Sequence, residues 1–131
     1  MNSVSFDILT LLQSQGFGTI GTNMFGNELG TVDAQILVSD TGAYDSQLHE
    51  LYENPTFQII VRGNKKESNL TSYNKIRAIY EYLNTQGLTT INSQEYELFK
   101  SFGGINGLGR DDNDRYVWSC NFMTYRKIKG E

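Results

Sequence analysis

The chain has 131 residues, one Cys, one His and a formal net charge of −4. One Cys excludes an internal disulfide and any zinc site built on several thiolates. No uninterrupted apolar run approaches the roughly 18 residues that a membrane-spanning helix needs.

The length predicts a single domain over residues 1–131, able to bury a core without a covalent staple. The first residues carry neither the basic nor the apolar run of a secretory signal, so a soluble protein of a reducing compartment is expected. The charge is unevenly spread. Residues 1–61 contain seven acidic residues and no Lys or Arg, whereas all 11 basic residues lie in 62–131 beside eight acidic ones. Such a split points to an interaction surface. The competing reading is a scattered, solvated surface that contributes little.

In chain order, Asn2 or Ser3 can cap a first helix. Val4, Ile8, Leu11 and Leu12 recur at the spacing of one helical face, and Gly16 suits a left-handed stop. Residues 17–33 hold four Gly and read as loop with a short strand near Met24-Phe25. Ala34 to Val38 is a short strand, and residues 39–54 form a long polar connection. Next comes Pro55-Thr56-Phe57-Gln58-Ile59-Ile60-Val61-Arg62-Gly63. There Phe57, Ile59 and Val61 alternate with polar neighbours, the two-residue period of a half-buried strand.

Ser68 or Asn69 caps a second helix with Tyr73, Ile76, Tyr80 and Leu83 on its inner face, closed by Gly87. Thr89 to Ile91 reads as a short strand. Glu95 to Phe102 alternates, with Tyr96, Leu98 and Phe102 inward. Residues 103–109 carry four Gly and read as a flexible hairpin tip. The last strand runs from Arg115 to Arg126, with Tyr116, Trp118, Cys120 and Phe122 inward. The main order is helix, strand, strand, helix, strand, strand. The expected fold is therefore α+β: an antiparallel sheet of about four strands with both helices packed on one face.

No catalytic set stands out. A Ser-His-Asp arrangement would have to use His49 with Asp45 or Glu50, and nothing marks one Ser as activated. Cys120 falls among apolar positions, the setting of a structural rather than a reactive thiol. Gly103 to Gly109 lacks the G-K-[ST] ending of a phosphate loop. Counted from Asp112, the acidic turn Asp111-Asp112-Asn113-Asp114 lacks the Gly and Glu of a calcium loop. Arg115, Arg126 and Lys127 flank aromatic residues, but those aromatics share the core face, and the net acidity opposes phosphate binding. No metal, cofactor or catalytic residue is expected.

The stretch from Pro55 to Gly63, followed by an amphipathic helix with Ala78-Ile79-Tyr80 near its middle, resembles the tail-terminator proteins of long-tailed bacteriophages, often labelled minor capsid or tail-completion proteins. The likeness extends over residues 30–126, through the element order and the late strand ending in Arg126; the segment from Gly16 to Asp33 contributes no feature to it. The resemblance implies a structural virion protein with no cofactor and no active site. Such proteins form a ring, typically a hexamer, that caps the tail tube, stops its polymerisation and provides the head-docking surface. The implied partners are copies of itself, the tail-tube protein and the head-completion or connector protein, with no membrane and no sequence-specific nucleic acid. Assembly in the host cytoplasm and residence in the virion tail or neck follow.

A closed ring needs two different patches on each copy, and complementary charge sets their register. The candidate contacts are Asp40, Asp45, Glu50 and Glu53 on one copy, opposite Lys65, Lys66, Arg110 or Arg126 on the next. The 39–54 and 103–114 loops are the candidates for reaching the tube or the head. Competing functions are another neck or tail-completion subunit, a small hydrolase or transferase working from the His49 loop, and a regulatory binding module.

Overall fold

The first helix forms where its capping and spacing predict. A computed structural model describes residues 2–30, 32–44 and 51–128, and in it α1 runs Val4–Ser14. Ser3 Oγ accepts from the Phe6 N–H and caps it. Gly16, at φ 82°, lets its own N–H reach the Gln13 carbonyl at 3.0 Å and the Phe17 N–H reach the Leu12 carbonyl at 3.1 Å. These are the two bonds of a Schellman stop. Val4, Ile8, Leu11 and Leu12 are all buried.

The remaining elements are β1 (Met24–Gly26), β2 (Gln35–Tyr44), β3 (Tyr52–Arg62), α2 (Asn69–Asn84), β4 (Thr89–Ile91), β5 (Gln94–Arg110) and β6 (Tyr116–Lys127). They overturn the expected four-stranded antiparallel sheet and its element order. The sheet has six strands in the order β1-β2-β3-β6-β5-β4, and three strands follow each helix. It is mixed, because β1 runs parallel to β2. The miscount came from the short strands at Met24 and Thr89, which pair as the two outermost strands of the sheet. The sheet is also strongly curled, into a half-barrel. As a result α1 touches β1 and β2 near one edge and β4 at the other.

β3 lies inside the sheet between β2 and β6. Phe57, Ile59 and Val61 are at most 1% exposed and face both helices' apolar residues in one core. Pro55 sits within β3, opposite Ala43. The ladder to β6 passes from Glu53–Arg126 to Thr56–Met123, skipping Asn54 and Pro55. A missing N–H is tolerated where the ladder is already interrupted.

The exit from β3 explains why Arg and Gly follow it. The Arg62 guanidinium is buried and donates to the carbonyls of Val32 (2.7 Å) and Asp33 (3.1 Å), fastening the loop before β2. The Gly63 N–H donates to the Tyr116 carbonyl at 3.0 Å. A Cβ on Gly63 would collide with the Ser72 hydroxyl and the Glu67 carboxylate. Those two side chains bond to each other at 2.8 Å and seat the start of α2 against the sheet.

The buried line of α2 is Ser72, Ile76, Ile79 and Leu83. Tyr73 and Tyr80 flank it, on Trp118 and Phe122 respectively. Trp118 lies between Tyr73, 5.1 Å away by ring centroids, and Gly107, whose hypothetical Cβ would stand 3.1 Å from the indole.

β5 departs most from simple alternation. A bulge between Glu97 and Phe99 places Leu98 at φ 43°, and the inward position shifts by one residue. Phe99 is therefore 3% exposed, whereas Leu98, expected inside, is 42% exposed. The Gly-rich segment is not a tip. It belongs to β5 and carries two further bulges, between Phe102 and Ile105 and between Gly107 and Arg110. The turn itself is 111–115, where Asp111 accepts from the N–H groups of Asn113 and Arg115.

Gly63→Ala should destabilise the fold by roughly 1–3 kcal/mol through overpacking. A lowered urea midpoint in equilibrium unfolding would show it, and an unchanged midpoint would remove Gly63 as the reason α2 docks here.

Candidate functional site

The most highly organised polar cluster lies under α1. Asp7 falls on the apolar face between Val4 and Leu11 and has no exposed surface. Its carboxylate accepts from the Tyr96 hydroxyl of β5, from Asn92 Nδ2 at 2.9 Å and from Asn2 Nδ2 at 3.4 Å. Arg126 of β6 stands 3.9 Å from the same carboxylate. The guanidinium also donates to the Asn2 carbonyl at 2.6 Å and pairs with Glu53 of β3. Burial, then the Asp7 carboxylate, pushes the Tyr96 hydroxyl well above its ordinary value, so it stays protonated and donating. Burial alone pushes the Cys120 thiol up to about 12. That thiol has the character of core and not of a nucleophile.

Glu53 and Arg126, two of the charges read from sequence as contacts between copies, therefore meet each other inside one chain. Asp40 remains exposed on β2, but its carboxylate accepts from Ser5 N (2.9 Å), Ser5 Oγ (2.7 Å) and Asn27 Nδ2 (3.0 Å). Partial burial pushes its pKa up; these donors outweigh that and hold it below the usual carboxylate value. The position at the start of α1 also suits a negative charge.

Lys65 and Lys66 are exposed in the turn between β3 and α2, and among the described residues neither forms an ion pair. Arg110 is exposed on β5, bonded to Asp114 (2.8 Å) and Tyr116 (2.6 Å). Asp45, His49 and Glu50 lie outside the described residues. Asp33 is bound to Arg115 at 3.0 Å. Much of the charge asymmetry along the sequence is thus consumed by pairing between the two halves within one molecule.

Two depressions stand out on the surface of the described residues. A cleft of about 440 Å³ separates the end of α1 from α2, lined by Phe17, Ile36, Thr71, Lys75, Ala78 and Ile79. On the sheet face away from the helices, Thr41, Tyr44, Thr56, Phe102 and Asn121 enclose a groove of about 300 Å³, with the Tyr44 and Phe102 rings in edge contact at 6.1 Å. No group of three or more His, Cys, Asp or Glu that could hold a metal occurs among the described residues. Sequence reading missed Asp7, Asn92 and Tyr96 as a set. The available signal was an acid three residues from Val4 and four from Leu11, on the apolar face of the helix.

These features define a small α+β protein with a curled sheet, whose exposed chemistry is charge and apolar surface. Residues 11–127 match the family model described as bacteriophage tail terminator protein, and the chain belongs to that family. It is a structural protein of a phage virion, and its family implies contacts with other tail or head proteins. Comparison with curated proteins gives no match.

Removing the buried guanidinium with Arg126→Met leaves Asp7 without its cation and should cost about 3–5 kcal/mol, read by denaturant unfolding. A loss under about 1 kcal/mol would show that the Asn92 and Tyr96 donors satisfy Asp7 alone.

The Cys120 thiol, at about 12 when folded and near 9.0 otherwise, keeps its proton in the folded state over a window where the unfolded chain loses it. Stability is therefore full below pH 9 and falls as pH rises towards 12, with Tyr96 acting in the same direction. Unfolding midpoints measured from pH 8 to 11 should decline. A thiol reagent at pH 8 should label Cys120 only after denaturation.

Proposed function

We propose that copies of this chain form a ring, a hexamer by family habit, that caps the tail tube, stops its polymerisation and provides the surface on which the head docks. The family match over residues 11–127 carries this reading. The geometry supports it in two ways. The buried polar cluster is spent on closing the fold, and the exposed charges lie apart in the fold, Asp40 on β2, Arg110 on β5, and Lys65 and Lys66 in the turn before α2. Opposite charges on different patches favour the head-to-tail contacts that close a ring. Assembly takes place in the host cytoplasm, and the tube protein and head-completion protein are the other partners.

Tube subunits of the same phage, polymerised with and without the purified chain, test the reading by electron microscopy. The expected result is a ring of density at one tube end and tubes that stop lengthening. Tubes that continue to grow, with bare ends, in an excess of the chain would overturn it.

A further inference from the structure

α2 divides the helix side of the molecule into two unlike surfaces. Its positions repeat every 3.6 residues, so Thr71, Lys75 and Ala78 share one flank and Tyr73, Arg77 and Tyr80 the opposite one, with Ser72, Ile76, Ile79 and Leu83 buried between them. The first flank walls the cleft of about 440 Å³, whose floor is Phe17, Ile36 and Ile79. A smaller hollow of about 70 Å³ shares Phe17, Ile36 and Lys75 with it and carries it on to Ala34, Val61 and Arg62. The second flank leads through Trp118 to the end of the β5–β6 hairpin.

That hairpin end is an apolar projection. Between Lys100 and Arg110 β5 carries no charge, and Leu108 is 55% exposed. The 111–115 turn beyond it is acidic. Asp114 is paired with Arg110 and Asp111 with Arg115, whereas Asp112 is exposed and forms no ion pair among the described residues. Beside the cleft the free charge has the other sign. Lys65 and Lys66 stand in the turn that carries Glu67, which bonds Lys75 of the cleft wall at 3.0 Å. Each copy thus has an apolar knob next to an acidic turn on one flank of α2, and an apolar cleft next to a basic turn on the other.

The rows of the sheet put these two surfaces at one height. Gly107 pairs with Trp118, Trp118 with Val61, and Val61 with Ile36 of the cleft floor. Leu108 follows Gly107, in the bulge before Arg110. The Gly63 N–H donates to the Tyr116 carbonyl, and Tyr116 pairs with Arg110, so the Lys65-Lys66 turn and the 111–115 turn leave the same end of the sheet. Rotation about an axis along the strands keeps every residue at its height. It carries Leu108 of one copy to the level of Ile36 in the next.

The geometry points to a knob-and-cleft joint between copies: Leu108 of one molecule seats in the Phe17–Ile36–Ile79 cleft of its neighbour, with Asp112 facing the neighbour's Lys65 and Lys66. The apolar contact supplies affinity and the charges fix orientation. Two different surfaces meet, so the contact is head-to-tail and every copy keeps one knob and one cleft for the next. This inference rests on the ring reading and specifies its joint.

The test is oxidative cross-linking on assembled tubes, with the ring itself followed by microscopy. Cys120 is buried and leaves the background clean. Leu108 and Ala78 are both exposed, so replacing them spares the core. The double variant Leu108→Cys/Ala78→Cys should give a covalent ladder rising from dimer to closed ring on a non-reducing gel, and neither single variant should. Leu108→Cys/Asn74→Cys covers a seat one helical turn away. Rings visible on tubes with no ladder from either double variant would overturn the joint while sparing the ring. Dimers from Leu108→Cys alone would also overturn it, because like surfaces would then meet. Bare tube ends with the unaltered chain would remove both readings together.

Discussion

The fold depends on one buried carboxylate. Asp7 carries no exposed surface, yet it faces a Tyr hydroxyl, two Asn amides and, at longer range, a guanidinium, drawn from the residue before the α1 cap, the β4–β5 turn, β5 and β6. A curled sheet leaves its two edges near each other but unjoined. α1 lies between them, and Asp7 ties it to the β4–β5 side while Ser5 ties it to Asp40 of β2. A charge in such a place costs several kcal/mol to bury unless its partners are all present. The geometry of α1 is therefore specified more sharply than apolar contact alone would specify it.

The second constraint is the corner at Arg62 and Gly63. Arg62 closes the loop before β2 by binding its carbonyls, and Gly63 removes the Cβ that would hold α2 away from the sheet. These two residues sit in the stretch that resembles tail terminators. Their shared role is geometric: one strand end positions a loop and a helix at once. Nothing in that corner is reactive, which is consistent with a structural family.

Much of this was legible and some was not, for identifiable reasons. The two-residue period of Phe57, Ile59 and Val61 marked the central strand because both its flanks are covered by sheet and one face by core. The caps at Ser3, Gly16 and Ser68 were local chemistry and could be read locally. The sheet count failed because Met24–Gly26 and Thr89–Ile91, read as short strands, are too short to show a period that would place them in the sheet; each pairs with the strand that follows it. Leu98 and Phe99 exchanged places because a bulge adds one residue, a backbone event that alternation cannot reveal. The charge asymmetry misled in part: Asp33 with Arg115, and Glu53 with Arg126, show that acidic and basic halves of a sequence can neutralise each other once folded. Asp7 was missed because an acid near a helix start has an ordinary explanation in the helix dipole.

The single tryptophan has a consequence of its own. Trp118 is clamped between Tyr73 of α2 and the bare backbone at Gly107, and its indole N–H is held by Asn69 at 3.1 Å. The only indole in the molecule thus sits between the glycine-rich half of β5 and the start of α2. Its emission is an intrinsic optical gauge of how that half of β5 is seated against the helix, readable in the unlabelled protein.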